Sequence, residues 1–119
     1  MADLLKQEAL SQFFNRQDFV RKTAMQLNKD LNGLSDYRIE VENESESKSV
    51  LDFFIDFLQK ALQDLNEKNV LQQFIYCVDL PEKEYIITLR EDNLNELAHL
   101  VLRREAKKVY LKMKFSDLI

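Results

Sequence analysis

The sequence predicts an all-α fold, a single-domain bundle of five or six helices with an irregular or extended segment near residues 35–48. Two observations lead to this prediction. The 119 residues include one glycine and one proline, although these residue types supply most tight turns. Apolar side chains also recur at helical spacing along most of the chain. The length suits one domain covering residues 1–119, because such a chain buries a real core but is short for two.

Residues 3–34 are predicted to form helix in two pieces. The first is a short amphipathic segment that ends near Phe14, after which Asn15 has the position of an N-cap. The second ends at Gly33, where a left-handed C-cap residue is expected. Its apolar stripe consists of Phe19, Val20, Ala24, Leu27 and Leu31. Gly33 therefore has a structural explanation, whereas a phosphate-binding loop would need several glycines.

Residues 37–42 alternate between polar and apolar side chains, which is typical of a short strand. A strand needs a partner strand, and the candidates are residues 85–89 and 109–115. The alternative fold is therefore α+β, with a small sheet formed by these three segments.

The segment that begins at Ser49 has the clearest helical pattern. Its main apolar stripe is Leu51, Phe54, Ile55, Leu58, Ala61, Leu62 and Leu65. A second strip, which contains Val50, Phe53 and Phe57, runs beside it. A helix that is apolar around so much of its circumference is either central in the fold or shared with another chain. Phe53 and Phe57 are therefore candidate partner-binding residues, and the eight phenylalanines favour self-association.

Three further helices are predicted towards the C terminus. A short one follows the polar interruption at residues 66–69. The next starts at Asp79, with Pro81 in its first turn and Glu82 as its capping partner. The last starts at Asn93, with Glu96 as its capping partner.

The last helix has an apolar side and a basic side. The apolar side contains Ala98, Leu102, Ala106, Val109 and Met113. The basic side contains Arg103, Arg104, Lys107, Lys108, Lys112 and Lys114. Residues 99–114 have a local charge balance of +5 and residues 36–67 one of −6, which the net charge of −4 conceals.

The basic side has four interpretations, and the simplest is a solvated face whose cations favour the C-terminal end of the helix dipole. It is also suited to docking on an acidic surface, either residues 36–67 of a second copy or a separate partner. Nucleic-acid binding is a third interpretation, although the whole chain is acidic and contains no recognised binding motif. Association with a membrane surface has the least support.

The sequence offers little for catalysis. Cys77 is the only cysteine and lies in the apolar run 74–78, so we expect a small buried core residue. Glu96 and the only histidine, His99, have the E-x-x-H spacing of helical di-iron sites, but such a site would need a second copy and further glutamates. Both are weak metal candidates. We expect no cofactor, and no carboxylate has a local context that predicts a shifted pKa.

The function expected from these features is that of a small non-catalytic protein-interaction or scaffold domain that self-associates as a homodimer or binds an acidic protein surface. The alternatives are a nucleic-acid-binding protein that uses the basic side, and a dimeric metal-binding protein that uses Glu96 and His99. No apolar run approaches the roughly 20 residues that cross a bilayer, and the N terminus lacks the pattern of a secretory signal. A cytoplasmic location is therefore expected.

Overall fold

The structure, a computed structural model, describes residues 17–41 and 50–116. These ranges contain five helices, namely α1 (Gln17–Leu31), α2 (Val50–Glu67), α3 (Leu71–Val78), α4 (Glu82–Arg90) and α5 (Leu94–Ser116). No strand occurs in the described ranges, so the all-α prediction is confirmed. The predicted segment that ends near Phe14, Asn15 and the helix start at Ser49 lie outside these ranges.

The α+β alternative is wrong, because residues 85–89 lie in α4 and residues 109–115 lie in α5. Residues 37–41 have no regular secondary structure. Within this segment, the backbone of Ile39 forms hydrogen bonds with a side chain and not with a second strand. The amide group of Asn28 donates to the carbonyl oxygen of Ile39 at 2.9 Å and accepts from the Ile39 N–H at 2.8 Å. This pairing satisfies the backbone of Ile39, whose side chain is buried.

Helix α5 is the centre of the bundle, since it contacts each of the other four helices. Its apolar side is fully buried along more than two turns, at Leu97, Ala98, Val101, Leu102 and Ala106. The main apolar stripe of α2 faces the same core, with Phe54 and Leu58 fully buried. Burial of these two stripes against each other provides much of the apolar area that stabilises the fold. None of the described helices is long and apolar enough to cross a membrane.

Two helix boundaries are formed by the capping residues that the sequence predicted. Gly33 has a φ of +83° just after α1, and the following N–H of Ser35 donates to the carbonyl oxygen of Leu31 at 3.0 Å. Asn93 caps α5, because its side-chain oxygen accepts from the backbone N–H of Glu96 at 3.1 Å.

The predicted start of a helix at Asp79 is wrong. Asp79 has a φ of 66° and ends α3, because its N–H donates to the carbonyl oxygens of Ile75 and Tyr76. Pro81 is the N-cap residue of α4, and that cap has no side-chain hydrogen bond. Asp79 therefore adopts the left-handed conformation that ends α3, and it does not act as the N-cap of α4.

The prediction for Cys77 is also wrong, because Cys77 is exposed. Helix α3 is only eight residues long and buries one side, at Leu71, Phe74, Ile75 and Val78. Five consecutive apolar residues span more than one turn of a helix, so the middle of the run faces away from the core. Tyr76 and Cys77 occupy that outer side.

Replacing Gly33 with alanine is expected to lower the free energy of unfolding by about 1 kcal/mol, because an L side chain is strained at positive φ. An added Cβ would have no neighbouring atom within 4 Å, so the cost comes from the backbone alone. Urea unfolding measures the difference. An unchanged midpoint would contradict the assignment of Gly33 as a left-handed cap.

Candidate functional site

The six basic residues that the sequence placed on one side of α5 differ in their exposure to solvent. Lys107, Lys112 and Lys114 are exposed, whereas Arg103, Arg104 and Lys108 are half-buried. Arg104 forms an ion pair with Asp79, the residue that ends α3, at 2.8 Å. The contiguous basic stripe that phosphate contacts would need is therefore interrupted by contacts within the chain.

The remaining cations near the C-terminal end of α5 also have partners. The Nζ atom of Lys112 donates to Oε1 of Gln26 at 2.8 Å. The Nζ atom of Lys114 lies 6.0 Å from the ring centre of Tyr110, at the limit of a cation–π contact. These two side chains thus remain exposed, but Lys112 is tied to α1.

Lys108 points inward and joins two buried carboxyl groups from different helices. Its Nζ atom lies 2.9 Å from Oδ2 of Asp30 and 2.7 Å from Oε1 of Glu105. It also donates to the carbonyl oxygens of Cys77 and Val78 at the end of α3, at 3.2 and 3.3 Å. Asp30 is 9% exposed and Glu105 is 0% exposed. We call Asp30, Glu105 and Lys108 the buried carboxyl cluster.

Glu105 is a completely buried carboxyl group. The ammonium group of Lys108 lies 2.7 Å from Oε1 of Glu105, and neither carboxyl oxygen of Glu105 has a hydrogen-bond partner of good geometry. Burial, which penalises the charged form, raises the pKa of Glu105 to about 9, and the neighbouring carboxyl group of Asp30 adds to that shift. The opposing effect of Lys108 is smaller. The buried position of Glu105 therefore favours the neutral form of its carboxyl group.

Lys108 stays charged in this setting. Burial acts to lower the pKa of Lys108, but the neighbouring carboxyl groups of Glu105 and Asp30 outweigh burial and raise the pKa above its ordinary value. Asp30 receives further support from Gln26, whose Nε2 lies 3.3 Å from Oδ1 of Asp30. The cluster thus joins one lysine of α5 to carboxyl groups of both α1 and α5.

The sequence did not predict this cluster, because no carboxylate was expected to have a local context that shifts its pKa, whereas the pKa of Glu105 is raised. The sequence did contain an indication of a buried acid, because Glu105 shares the helical spacing of the apolar residues Leu102, Ala106 and Val109. Asp30 likewise stands between the core positions Leu27 and Leu31. A carboxylate on the apolar side of a helix is the pattern that indicates a buried acid.

A second feature of the surface is an aromatic patch on the outer side of α2. Val50, Phe53 and Phe57 follow one another at helical spacing and share one side of the helix. The ring of Phe57 meets that of Tyr37 edge-on, with 6.4 Å between the ring centres. Phe53 is 42% exposed, Tyr37 41% and Val50 37%, while Phe57 is half-buried. We call these four residues the aromatic patch.

Glu96 and His99, the weak metal candidates, lie in the first two turns of α5. Glu96 is exposed and His99 is half-buried. Within residues 17–41 and 50–116, no group of three or more histidine, cysteine, aspartate or glutamate side chains is arranged to hold a metal ion. Any site at this pair would therefore need ligands from elsewhere.

A polar cleft of about 380 Å³ lies beside the loop that follows α1. Its cations are Arg38 and Lys68, and both are engaged within the chain. Arg38 donates to the Asn28 carbonyl oxygen at 2.9 Å, and Lys68 forms an ion pair with Asp64 at 3.0 Å. Because its two cations are engaged within the chain, this cleft is a weaker candidate for a functional site than the buried carboxyl cluster or the aromatic patch.

Comparison of the chain with protein-family models, with curated proteins and with solved structures finds no match. The functional proposal therefore rests on the aromatic patch and the charges described above.

Proposed function

We propose that this protein is a non-catalytic interaction domain that binds a second copy of itself through the aromatic patch. The proposal rests on the exposure of Val50 and Phe53 on one side of α2, where Phe57 on the same side contacts the exposed Tyr37. Most exposed apolar residues in folded proteins are scattered singly, and a contiguous patch is typical of an interaction site. Removal of apolar surface from water is favourable by roughly 25 cal/mol per Å², so covering the aromatic patch favours association.

The choice of a second copy as the partner is supported by charge. The exposed acidic residues Asp36 and Glu40 flank Tyr37 in the patch. The exposed basic residues Lys107 and Lys114 lie on α5, the helix with the basic side. Opposite charges on two surfaces of one chain favour and orient contacts between copies. In a two-fold dimer, each of these contacts would occur twice.

Replacing Phe53 with serine is expected to raise the dissociation constant of self-association at least tenfold, because it removes the most exposed ring of the patch. Analytical ultracentrifugation across a micromolar concentration series measures this constant. Tyr76→Ser is the matched control, since Tyr76 is an aromatic residue that is 86% exposed and lies on a different helix, α3. A wild-type protein that stays monomeric throughout the series would overturn the proposal.

The same experiment with charge variants tests whether the partner is a second copy in the proposed orientation. Lys107→Glu with Lys114→Glu is expected to weaken self-association, and so is Asp36→Lys with Glu40→Lys. Combining all four changes in one chain restores opposite charges across the contact and is expected to recover binding. Self-association that survives Phe53→Ser but responds to the charges would place the contact outside the aromatic patch.

A further inference from the structure

The turn after α1 contains a pair of residues that can react with each other. The only glycine of the chain, Gly33, directly follows an asparagine, whereas every other asparagine is followed by a residue with a side chain. An asparagine side chain can react with the backbone nitrogen of the next residue, and glycine hinders this reaction least because it has no Cβ. Asn32 and Gly33 lie beyond the last residue of α1, and both are exposed. Such a reaction therefore meets the least steric hindrance at this pair.

We propose that Asn32 is a site of spontaneous deamidation and that the guanidinium group of Arg38 promotes the reaction. The backbone nitrogen of Gly33 loses its proton to solvent and attacks Cγ of Asn32. The side-chain nitrogen of Asn32 takes up a proton and leaves as ammonia, so that a cyclic succinimide forms. Water then adds to either carbonyl carbon of the ring and opens it. The product is a carboxylate at position 32, in the form of aspartate or isoaspartate.

Arg38 contacts the reacting group directly. Its Nη2 atom donates to Oδ1 of Asn32 at 2.9 Å, and its Nη1 atom donates to the carbonyl oxygen of Asn28 at 2.9 Å. The bond to Asn28 holds the guanidinium group in place. Attack on Cγ moves negative charge onto Oδ1, and a charged donor that is already placed at this oxygen stabilises the developing charge. Arg38 therefore favours ring closure.

The surroundings of Gly33 leave room for the ring and for water. A Cβ built on Gly33 would have no neighbouring atom within 4 Å. The capping bonds of this turn come from the N–H groups of Leu34 and Ser35, which donate to the carbonyl oxygen of Leu31 at 2.9 and 3.0 Å. Deprotonation of the Gly33 nitrogen breaks neither of these bonds. Asn32 and Gly33 also line the polar cleft, so water reaches the ring for hydrolysis.

The product changes the charge and the backbone of this turn. In the aspartate form, the new carboxylate lies beside the guanidinium group of Arg38 and forms an ion pair with it. The isoaspartate form lengthens the main chain at the start of the loop that leads to Tyr37. Either form adds a negative charge to a chain whose net charge is −4. This inference is independent of the proposed self-association.

Mass spectrometry of the full chain, incubated at neutral pH over several weeks, tests the inference. We expect a mass gain of about 1 Da, because OH replaces NH2, and peptide mapping should locate it at Asn32. Asn69 is the internal control, since it is exposed and has a φ of 60° just after α2, but Val70 follows it. Gly33→Ala is expected to slow the gain severalfold, because its Cβ hinders the attack. An unmodified Asn32, or an Asn69 that reacts as fast, would overturn the inference.

The role of Arg38 has its own test. Arg38→Met is expected to slow deamidation of the folded protein about tenfold, which corresponds to a loss of about 1.4 kcal/mol of transition-state stabilisation. In concentrated urea Arg38 no longer contacts Asn32, so the variant and the wild type should react equally fast. Lys29→Met removes an exposed positive charge from the last turn of α1 and is the control, with an unchanged rate. An equal or faster reaction of folded Arg38→Met would contradict the role assigned to Arg38.

Discussion

Glu105→Gln is expected to raise the free energy of unfolding by about 2–3 kcal/mol at pH 7. The pKa of Glu105 is raised from 4.5 to about 9 in the folded protein, whereas in the unfolded chain it has its ordinary value. At pH 7 the folded state therefore holds a proton that the unfolded state has released, at a cost of about 1.4 kcal/mol for each pH unit above 4.5. Glutamine has no proton to release and therefore avoids this cost.

The pH dependence of this effect has a definite sign. A raised folded-state pKa contributes stability that is fully present below the unfolded pKa and is lost as the pH rises towards the folded value. The variant and the wild type should therefore be equally stable near pH 4 and diverge up to about pH 9, with the variant more stable. Urea unfolding at pH 4.5, 7 and 8.5, with Glu96→Gln as a control, measures the divergence. Equal stability at pH 8.5 would show that Glu105 is not a buried acid.

Lys108→Met is expected to lower the free energy of unfolding by about 3 kcal/mol at pH 7. The substitution keeps the apolar part of the side chain but removes the ammonium group. This group donates hydrogen bonds to Asp30 and to the carbonyl oxygens of Cys77 and Val78. Removing one member of a buried ion pair leaves an uncompensated charge and typically costs 3–5 kcal/mol. The expected value lies at the low end because 18% of the Lys108 side chain is exposed.

Lys107→Met is the matched control, since Lys107 is the adjacent residue and is exposed. A surface change of this kind usually shifts stability by less than about 0.5 kcal/mol. Adding Asp30→Asn to Lys108→Met should recover part of the loss, because it removes the charge left without a partner. Chemical denaturation of the wild type, Lys108→Met, Asp30→Asn and the double variant completes the cycle. Equal losses in Lys107→Met and Lys108→Met would contradict the pairing of Lys108 with Asp30.

Most of the fold could be predicted from the sequence because helix formation is governed by local spacing. The apolar stripes of α1 and α2 became core residues, and Gly33 and Asn93 have the capping roles that their positions indicate. The errors have local causes as well. Asp79 adopts the left-handed conformation that usually belongs to glycine, and Cys77 lies on the outer side of a helix too short to bury both its sides.

The strand alternative failed for a tertiary reason. Residues 37–42 have the alternation of a strand, but the backbone of Ile39 is satisfied by the side chain of Asn28, eleven residues away. An amide side chain offers one donor and one acceptor, which is what one residue of a partner strand would supply. Alternation in a short segment therefore does not establish that a sheet is present.

The sequence by itself determined the helical class, the main apolar stripes, the unequal distribution of charge, and the candidates Phe53 and Phe57. Only the tertiary structure decided which charges face inward, since Asp30 and Lys108 are separated by 78 residues in the chain. The physical reason is that periodicity places a side chain on one side of a helix, whereas desolvation depends on what packs against it. Docking of α1 and α3 on α5 turns an ordinary lysine and two ordinary carboxylates into the buried carboxyl cluster.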